Sequence, residues 1–176
     1  MKDIVIETDR FFLRSLSVSD VSARYYNWLH SQGKSQYIEY SKRNHTINEL
    51  KEYVNQRALS DNALLLGIFD VANNSHIGNI KYEPIDFENR VTTMGILIGE
   101  KDYRGLGVAP EVIKASSMWL KKTFNIANVI LGVSIENDRA INAYKKIGFI
   151  TCKEDLINSN RNYSGLSPIN SGHCPL

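Results

Sequence analysis

The chain is poor in the residues that build disulfide scaffolds and metal sites. It has 2 cysteines, Cys152 and Cys174, too few for a disulfide framework. Its 4 histidines are scattered. The one Cys/His pair that lies close in sequence is adjacent, His173–Cys174, and adjacent residues chelate poorly. We therefore expect neither a disulfide-stapled fold nor a bound metal.

Long apolar runs and blocks of a single charge are missing as well. No apolar stretch approaches the roughly 20 residues that span a bilayer, and the opening MKDIVIETDR carries acids where a secretory signal has an apolar core. The net charge of +2 comes without a Lys/Arg block, unlike that of a nucleic-acid-binding protein. These absences predict a cytoplasmic protein that binds neither membranes nor nucleic acid.

What is present is the composition of one globular domain. The 176 residues are 43% hydrophobic and 23% charged, which is enough chain for a substantial core. Periodicity and turn signals predict the order strand, two helices, three strands, helix, strand, helix, strand. That order is typical of an α/β (α+β) fold with one mixed sheet.

Local signals predict several boundaries within this order. Ser19 or Asp20 is the expected N-cap of the first helix, and Thr46 with Glu49 forms a capping box at the second. Gly95 is the expected bulge in the strand RVTTMGILIGE. After about residue 155 the chain is rich in Ser, Asn, Gly and Pro, and YSGLSPI is its one candidate strand.

The stretch DYRGLGVAPE carries the clearest chemical signal. It lacks the Gly-Lys-Ser/Thr of a P-loop, and Pro110 replaces the third glycine of a dinucleotide fingerprint. A simple glycine turn is one interpretation. The other is an anion site, because residues 104–109 bring backbone N–H groups to a helix start and Arg104 adds positive charge. A pyrophosphate would suit such a site.

Two linked motifs resemble the GCN5-related N-acetyltransferase (GNAT) superfamily. RGLGVA is similar to its Arg/Gln-x-x-Gly-x-Gly/Ala acyl-CoA loop, and NDRAINAYKKIGF to its Asn-x-x-Ala-x-x-x-Tyr-x-x-x-Gly-Phe signature. The likeness covers about residues 10–149, in the branch with ribosomal-protein, spermidine and amino-sugar acetyltransferases. It implies a mixed, largely antiparallel central sheet flanked by helices, with a V-shaped splay between the fourth and fifth strands. An acyl-CoA N-acyltransferase domain at 1–154 would precede an irregular tail at 155–176 that could complete the sheet.

The resemblance also implies acetyl-CoA as co-substrate, together with roles for individual residues. It implies cofactor contacts from Ile96, Leu97, Ile98, Arg104, Gly105, Leu106, Gly107, Val108, Ala109, Asn137 and Tyr144. Gly107 and Ala109 would line the pyrophosphate. Leu97 and Ile98 would hydrogen-bond the pantetheine arm like an added strand and stabilise the oxyanion.

Two of these residues are the implied catalytic pair. Tyr144 stands where the family keeps a general acid for the departing thiolate, and Asn137 would contact the cofactor arm near the reaction centre. A core aromatic is the alternative for Tyr144, which shares a helix face with Ala140 and Ile147. Many relatives carry a Glu just before the glycine of MGILIG, but here Thr92, Thr93 and Met94 occupy that region. Glu83, Asp86 and His76, each expected at the surface, or a water relay are the candidate bases.

The implied reaction is direct transfer of acetyl to a primary amine. A small acceptor such as an amino sugar or a polyamine is the first interpretation. A protein α-amine, or a non-catalytic acyl-CoA-binding module, is the alternative. Tyr37, Glu39 and Tyr40 between the first two helices are expected to contact the acceptor, since rings stack on sugars and a carboxylate holds an ammonium. An exposed sheet edge in the tail would favour a homodimer.

Overall fold

The structure, a computed structural model, describes residues 4–30, 46–134, 137–151 and 164–167. Tyr37, Glu39 and Tyr40 lie outside the described residues. The described part forms one mixed sheet with helices on both faces. Its elements are β1 (Val5–Glu7), β2 (Phe11–Ser15), α1 (Ala23–His30), α2 (Ile47–Leu59), β3 (Leu64–Asp70), β4 (His76–Asp86), β5 (Val91–Ile98), α3 (Val108–Phe124), β6 (Asn128–Val133), α4 (Asp138–Lys146), β7 (Ile150–Thr151) and β8 (Ser164–Ser167).

The sheet has the order β1-β2-β3-β4-β5-β6-β8-β7. Each pairing is antiparallel except that between β5 and β6, so the predicted mixed, largely antiparallel sheet is confirmed. The tail contributes β8, which lies within YSGLSPI and pairs with β6 and β7. β1 was not predicted, because three residues are too few to show a period.

The strands β5 and β6 separate along their length. β5 pairs with β4 from Val91 to Ile98, but with β6 only over residues 91–93. Beyond that point β6 pairs with β8 instead. The sheet therefore splays between β5 and β6, which are the fourth and fifth strands of the predicted order, as expected. On the side away from β4, residues 94–98 of β5 have no described strand beside them, and this free edge faces an open cleft.

Helices bury apolar side chains on both faces of the sheet. α3 packs on one face through residues such as Val112, Ile113 and Leu120. α1 and α2 cover the other, where Leu29 and Leu50 are buried. No helix in the described ranges is long and apolar enough to cross a membrane.

Local predictions have mixed outcomes. The Thr46 side chain accepts from the Glu49 N–H at 3.2 Å and the Glu49 carboxylate accepts from the Thr46 N–H, so the capping box is confirmed. The predicted N-cap of the first helix is wrong. Asp20 instead forms an ion pair with Arg14 at 2.6 Å, and α1 begins later, at Ala23. Burial raises the pKa of Asp20, but hydrogen bonds from Arg14 and Ser17 lower it to about 2.

The predicted bulge at Gly95 is also wrong. Gly95 pairs directly with Lys81, and the register shifts on the neighbouring strand between Tyr82 and Ile85. That part of β4 contains Pro84, which has no N–H to donate to a ladder. The irregularity therefore follows the proline of β4 and not the glycine of β5.

Candidate active site

A cleft of about 980 Å³ occupies the splay. One side is formed by the end of β5 and the loop that leads into α3, and the other by the ends of β6 and α4. Ten of the eleven residues predicted to bind the cofactor line it: Ile96, Leu97, Ile98, Arg104, Gly105, Gly107, Val108, Ala109, Asn137 and Tyr144. Leu106 is not among the lining residues and is 59% exposed.

The glycines of the loop have a conformation that other residues rarely adopt. Gly105 has φ 84° and Gly107 has φ 78°, both in the left-handed region. Gly107 is the N-cap of α3, so the first N–H groups of that helix are available to a ligand. A bare backbone beside a positive helix end fits the pyrophosphate of acetyl-CoA.

Arg104 secures the end of β5 to this loop. Its Nε donates to the Ile98 carbonyl at 2.9 Å and its Nη2 to the Gly99 carbonyl at 2.9 Å. These bonds use one edge of the guanidinium. Arg104 thus shapes the strand that is expected to hold the pantetheine arm, a contribution that the sequence motif does not reveal.

A second contact fixes the start of α3 to the N-terminal strands. Glu111 accepts from the Thr8 hydroxyl at 2.7 Å and from the Arg10 N–H at 3.0 Å, and it forms an ion pair with the Arg10 guanidinium at 2.7 Å. Burial raises the pKa of the Glu111 carboxyl, but these hydrogen bonds outweigh it and hold the pKa below its usual value. Arg10 also donates to the Leu106 carbonyl. The loop is therefore held in place by residues about a hundred positions away.

Tyr144 lies in the last turn of α4 and is half-buried. Its ring packs against Phe149, with centroids 5.8 Å apart. Within the described ranges its hydroxyl has no hydrogen-bond partner. Burial raises the pKa of Tyr144, so the phenol stays protonated at neutral pH and is able to donate. The residue is thus both a packed aromatic and part of the cleft lining.

Asn137 is the N-cap of α4. Its Oδ1 accepts from the Ala140 N–H at 3.2 Å. An amide also carries two donors on Nδ2, and these can face a ligand in the cleft. The conformation of the residue is therefore set by helix capping, while its donors suit the expected cofactor contact.

The three candidate bases do not line the cleft in the part of the chain that the structure describes. His76 was expected at the surface but is buried, stacked on Phe69 with centroids 4.8 Å apart, and burial lowers its pKa. Glu83 pairs with Lys81 at 2.9 Å and with Arg57 at 3.3 Å. Asp86 accepts from the Asn89 N–H at 2.8 Å. Each group thus has a structural role.

The cleft lining also includes residues that the sequence motifs do not assign. Trp28, Tyr53, Asn79 and Lys81 line the cleft, supplied by α1, α2 and β4. The Trp28 Nε1 donates to Glu100 at 3.0 Å, which joins α1 to the turn after β5. Asn79 and Lys81 are two residues apart on β4, so their side chains point to the same face of the sheet. This spacing is the sequence signal that could have identified them.

The described cleft lining contains cations but no carboxylate. Its charged residues are Lys81, Arg104, Arg139 and Lys146. The described residues also show no group of three or more His, Cys, Asp or Glu that could hold a metal. The site can therefore attract anions, and its described chemistry depends on backbone N–H groups and hydroxyls.

Comparisons with known proteins agree with this geometry. The model of the acetyltransferase (GNAT) domain matches residues 10–150. The curated N-alpha-acetyltransferase of Sulfurisphaera tokodaii is 41% identical over 49 residues, which are 28% of this chain and 29% of that protein. The chain thus aligns with under a third of the length of this relative.

Solved structures with low identity share the fold. RimL, a ribosomal L7/L12 alpha-N-protein acetyltransferase solved with coenzyme A, has a TM-score of 0.79 at 16% identity over 97% of this chain and 100% of that one. The dodecameric spermidine N-acetyltransferase of Vibrio cholerae has a TM-score of 0.68 at 20% identity over 90% and 91%. The chain therefore belongs to the acetyltransferase (GNAT) domain family, whose co-substrate is acetyl-CoA, and the family predicted from the two motifs is confirmed.

Proposed function

We propose that this protein transfers the acetyl group of acetyl-CoA directly to a primary amine of a small molecule, of the amino-sugar type. One observation carries the proposal. A single cleft contains the glycine loop, the open edge of β5 and the tyrosine of α4, which are the parts that such a transfer requires.

Different residues of the cleft bind different parts of acetyl-CoA. Acetyl-CoA supplies an activated thioester. The N–H groups at the start of α3, with Gly107 and Ala109 beside them, bind its diphosphate. Cleft-facing backbone groups within residues 96–98 of β5 hydrogen-bond the pantetheine arm, and an N–H near Leu97 and Ile98 that points away from β4 stabilises negative charge on the carbonyl oxygen.

Proton movement is assigned to Tyr144 and solvent. The Tyr144 Oη donates its proton to the departing sulfur, and the raised pKa of this phenol keeps the proton available at neutral pH. A typical alkylamine acceptor has a pKa of about 10 and must lose a proton before it attacks. Since no candidate base lines the described cleft, we assign that step to water.

The choice of an amino sugar over a polyamine depends on charge. A polyamine carries several positive charges, and the described lining presents Lys81, which Glu83 pairs at 2.9 Å from outside the lining, and no carboxylate of its own. Burial lowers the pKa of Lys81, but interactions with Tyr53 and Glu83 raise it above its usual value, so the ammonium remains charged. The rings of Trp28 and Tyr53 also line the cleft, and aromatic rings suit stacking on a sugar.

A protein α-amine is the second candidate. It is favoured by the curated N-alpha-acetyltransferase and by the likeness to RimL. A peptide N-terminus carries a single ammonium, so the cationic lining does not exclude it.

Self-association of the chain into a homodimer also stays a prediction, which light scattering in solution can test.

The experiment is a panel of acceptors with acetyl-CoA. Amino-sugar nucleotides, polyamines and N-terminal peptides are compared by release of the CoA thiol, with acetylated product identified by mass spectrometry. We expect the highest kcat/KM with an amino-sugar nucleotide. Turnover with peptides alone would favour the second candidate. Binding of acetyl-CoA without transfer to any acceptor would mean that the protein is a non-catalytic module.

A further inference from the structure

Three arginines surround the glycine loop, and two of them are occupied by protein groups. Arg10 pairs with Glu111 and donates to the Leu106 carbonyl. Arg104 donates to two carbonyls at the end of β5. Both guanidinium groups therefore already have partners that stabilise the loop and its surroundings.

Arg139 differs from the other two. It lies in the first turn of α4, on the opposite side of the splay, and it lines the cleft. Within the described ranges it has no hydrogen bond or ion pair. Its Nη2 lies 2.8 Å from the point where a Cβ on Gly105 would stand. The missing side chain of Gly105 thus leaves room for this guanidinium directly against the loop.

Two sources of positive potential converge at this point. The N-terminal end of α3 is positive because its first N–H groups are unpaired, and Arg139 adds a full charge. Glu111, the acidic residue in the first turn of α3, is paired with Arg10. A diphosphate that spans the loop and Arg139 would satisfy both sources, because a guanidinium binds phosphate oxygens with two parallel donors.

We infer that Arg139 pairs with the diphosphate of acetyl-CoA from the α4 side of the cleft and is the principal cationic side chain for that group. This inference rests on acetyl-CoA being the co-substrate, as in the proposed function. The position falls on an unspecified residue of the Asn-x-x-Ala motif, so the motif does not assign it. α4 then contributes Arg139, which binds the diphosphate, in its first turn and Tyr144 in its last turn.

The test compares Arg139→Met with Lys145→Met. Lys145 is an exposed residue of the same helix that does not line the cleft, so its variant controls for the loss of one charge. Calorimetry measures the Kd of CoA, of 3′-dephospho-CoA and of pantetheine, which lacks phosphate. Thermal unfolding verifies that each variant is folded.

We expect Arg139→Met to weaken CoA and 3′-dephospho-CoA about tenfold, as for the loss of a charged hydrogen bond. Pantetheine binding should not change, and Lys145→Met should change none of the three affinities by more than twofold. The dependence of the CoA Kd on salt should also become shallower in Arg139→Met, because one ionic contact is lost.

Three results would overturn the inference. Equal weakening of CoA and pantetheine would show that Arg139 only maintains the fold of the cleft. An unchanged CoA Kd would show that Arg139 does not contact the cofactor. A loss confined to CoA, with 3′-dephospho-CoA unaffected, would place the guanidinium on the ribose phosphate. Failure of the unmodified protein to bind CoA would refute the proposed function instead.

Discussion

Replacement of Tyr144 by phenylalanine removes one oxygen atom and tests the proposed mechanism directly. The hydroxyl has no partner in the described part of the chain, and the ring packs on Phe149. Phenylalanine keeps that ring, so we expect the free energy of unfolding to change by less than about 1 kcal/mol. The variant therefore separates the chemistry of the hydroxyl from the packing of the ring.

The expected kinetic loss is large. General acid catalysis contributes roughly 10²- to 10⁴-fold, so kcat of Tyr144→Phe should fall at least about a hundredfold. That fall corresponds to about 2.7 kcal/mol of transition-state stabilisation. The Kd of CoA should stay within about twofold, because the proton is needed only when the thiolate departs.

The pH dependence follows from the direction of the pKa shift. Burial raises the pKa of Tyr144, so the folded protein holds the proton through neutral pH and loses it only above the ordinary tyrosine pKa of about 10. The contribution of this group to kcat is therefore present at neutral pH and disappears as the pH rises through the raised value. Tyr144→Phe should lack this alkaline decrease.

The assay measures CoA thiol release at saturating acetyl-CoA and acceptor from about pH 6 to 10.5. Tyr26→Phe, a matched change outside the cleft lining, is the control and should retain kcat. A kcat of Tyr144→Phe within twofold of the unmodified protein would refute the role of Tyr144 as general acid. A fall in kcat together with a large loss of stability would indicate a packing role instead.

Three further predictions concern stability and specificity. Glu111→Gln should lower the free energy of unfolding in urea by about 1–2 kcal/mol at pH 7, because the charged bonds to Arg10 are lost. Since the folded pKa of Glu111 is depressed, its contribution exists above the unfolded pKa and is lost as the pH falls through the folded value, so the two proteins should converge in acid. Gly99→Ala should cost about 1–3 kcal/mol by thermal unfolding, because its Cβ would collide with the Trp28 ring. Lys81→Gln should raise kcat/KM for a polyamine relative to an amino-sugar nucleotide by roughly three- to tenfold, because the Lys81 cation is removed and the Glu83 carboxylate loses that partner.

Each of these predictions has a result that contradicts it. Equal stability of Glu111→Gln and the unmodified protein at pH 7 would mean that the Arg10 contact contributes nothing, and Glu52→Gln on the exposed side of α2 is the matched control. A stable Gly99→Ala would mean that Trp28 repacks freely. An unchanged ratio for Lys81→Gln would remove the argument from charge against polyamines.

The sequence alone determined the features whose signals are local. The capping box of Thr46 and Glu49 lies within four residues, and Gly148 ends α4 with φ 96° at the position where a helix needs a left-handed residue. Seven of the ten predicted lining residues lie within the two motifs, because a turn and the following helix start are specified by adjacent positions, and the other three, on β5, came from the resemblance. The splay itself was expected from the resemblance and not from spacing.

Tertiary structure decided the rest, because the deciding contacts join residues far apart in the chain. Asp20 could have capped a helix, but Arg14 offered a stronger charged partner. His76 is polar, yet its strand carries it into the core. No pattern in the sequence brings Arg139 against Gly105 or leaves Lys81 without an acid in the described cleft lining. These placements depend on how strands and helices pack, and periodicity within one element does not encode them.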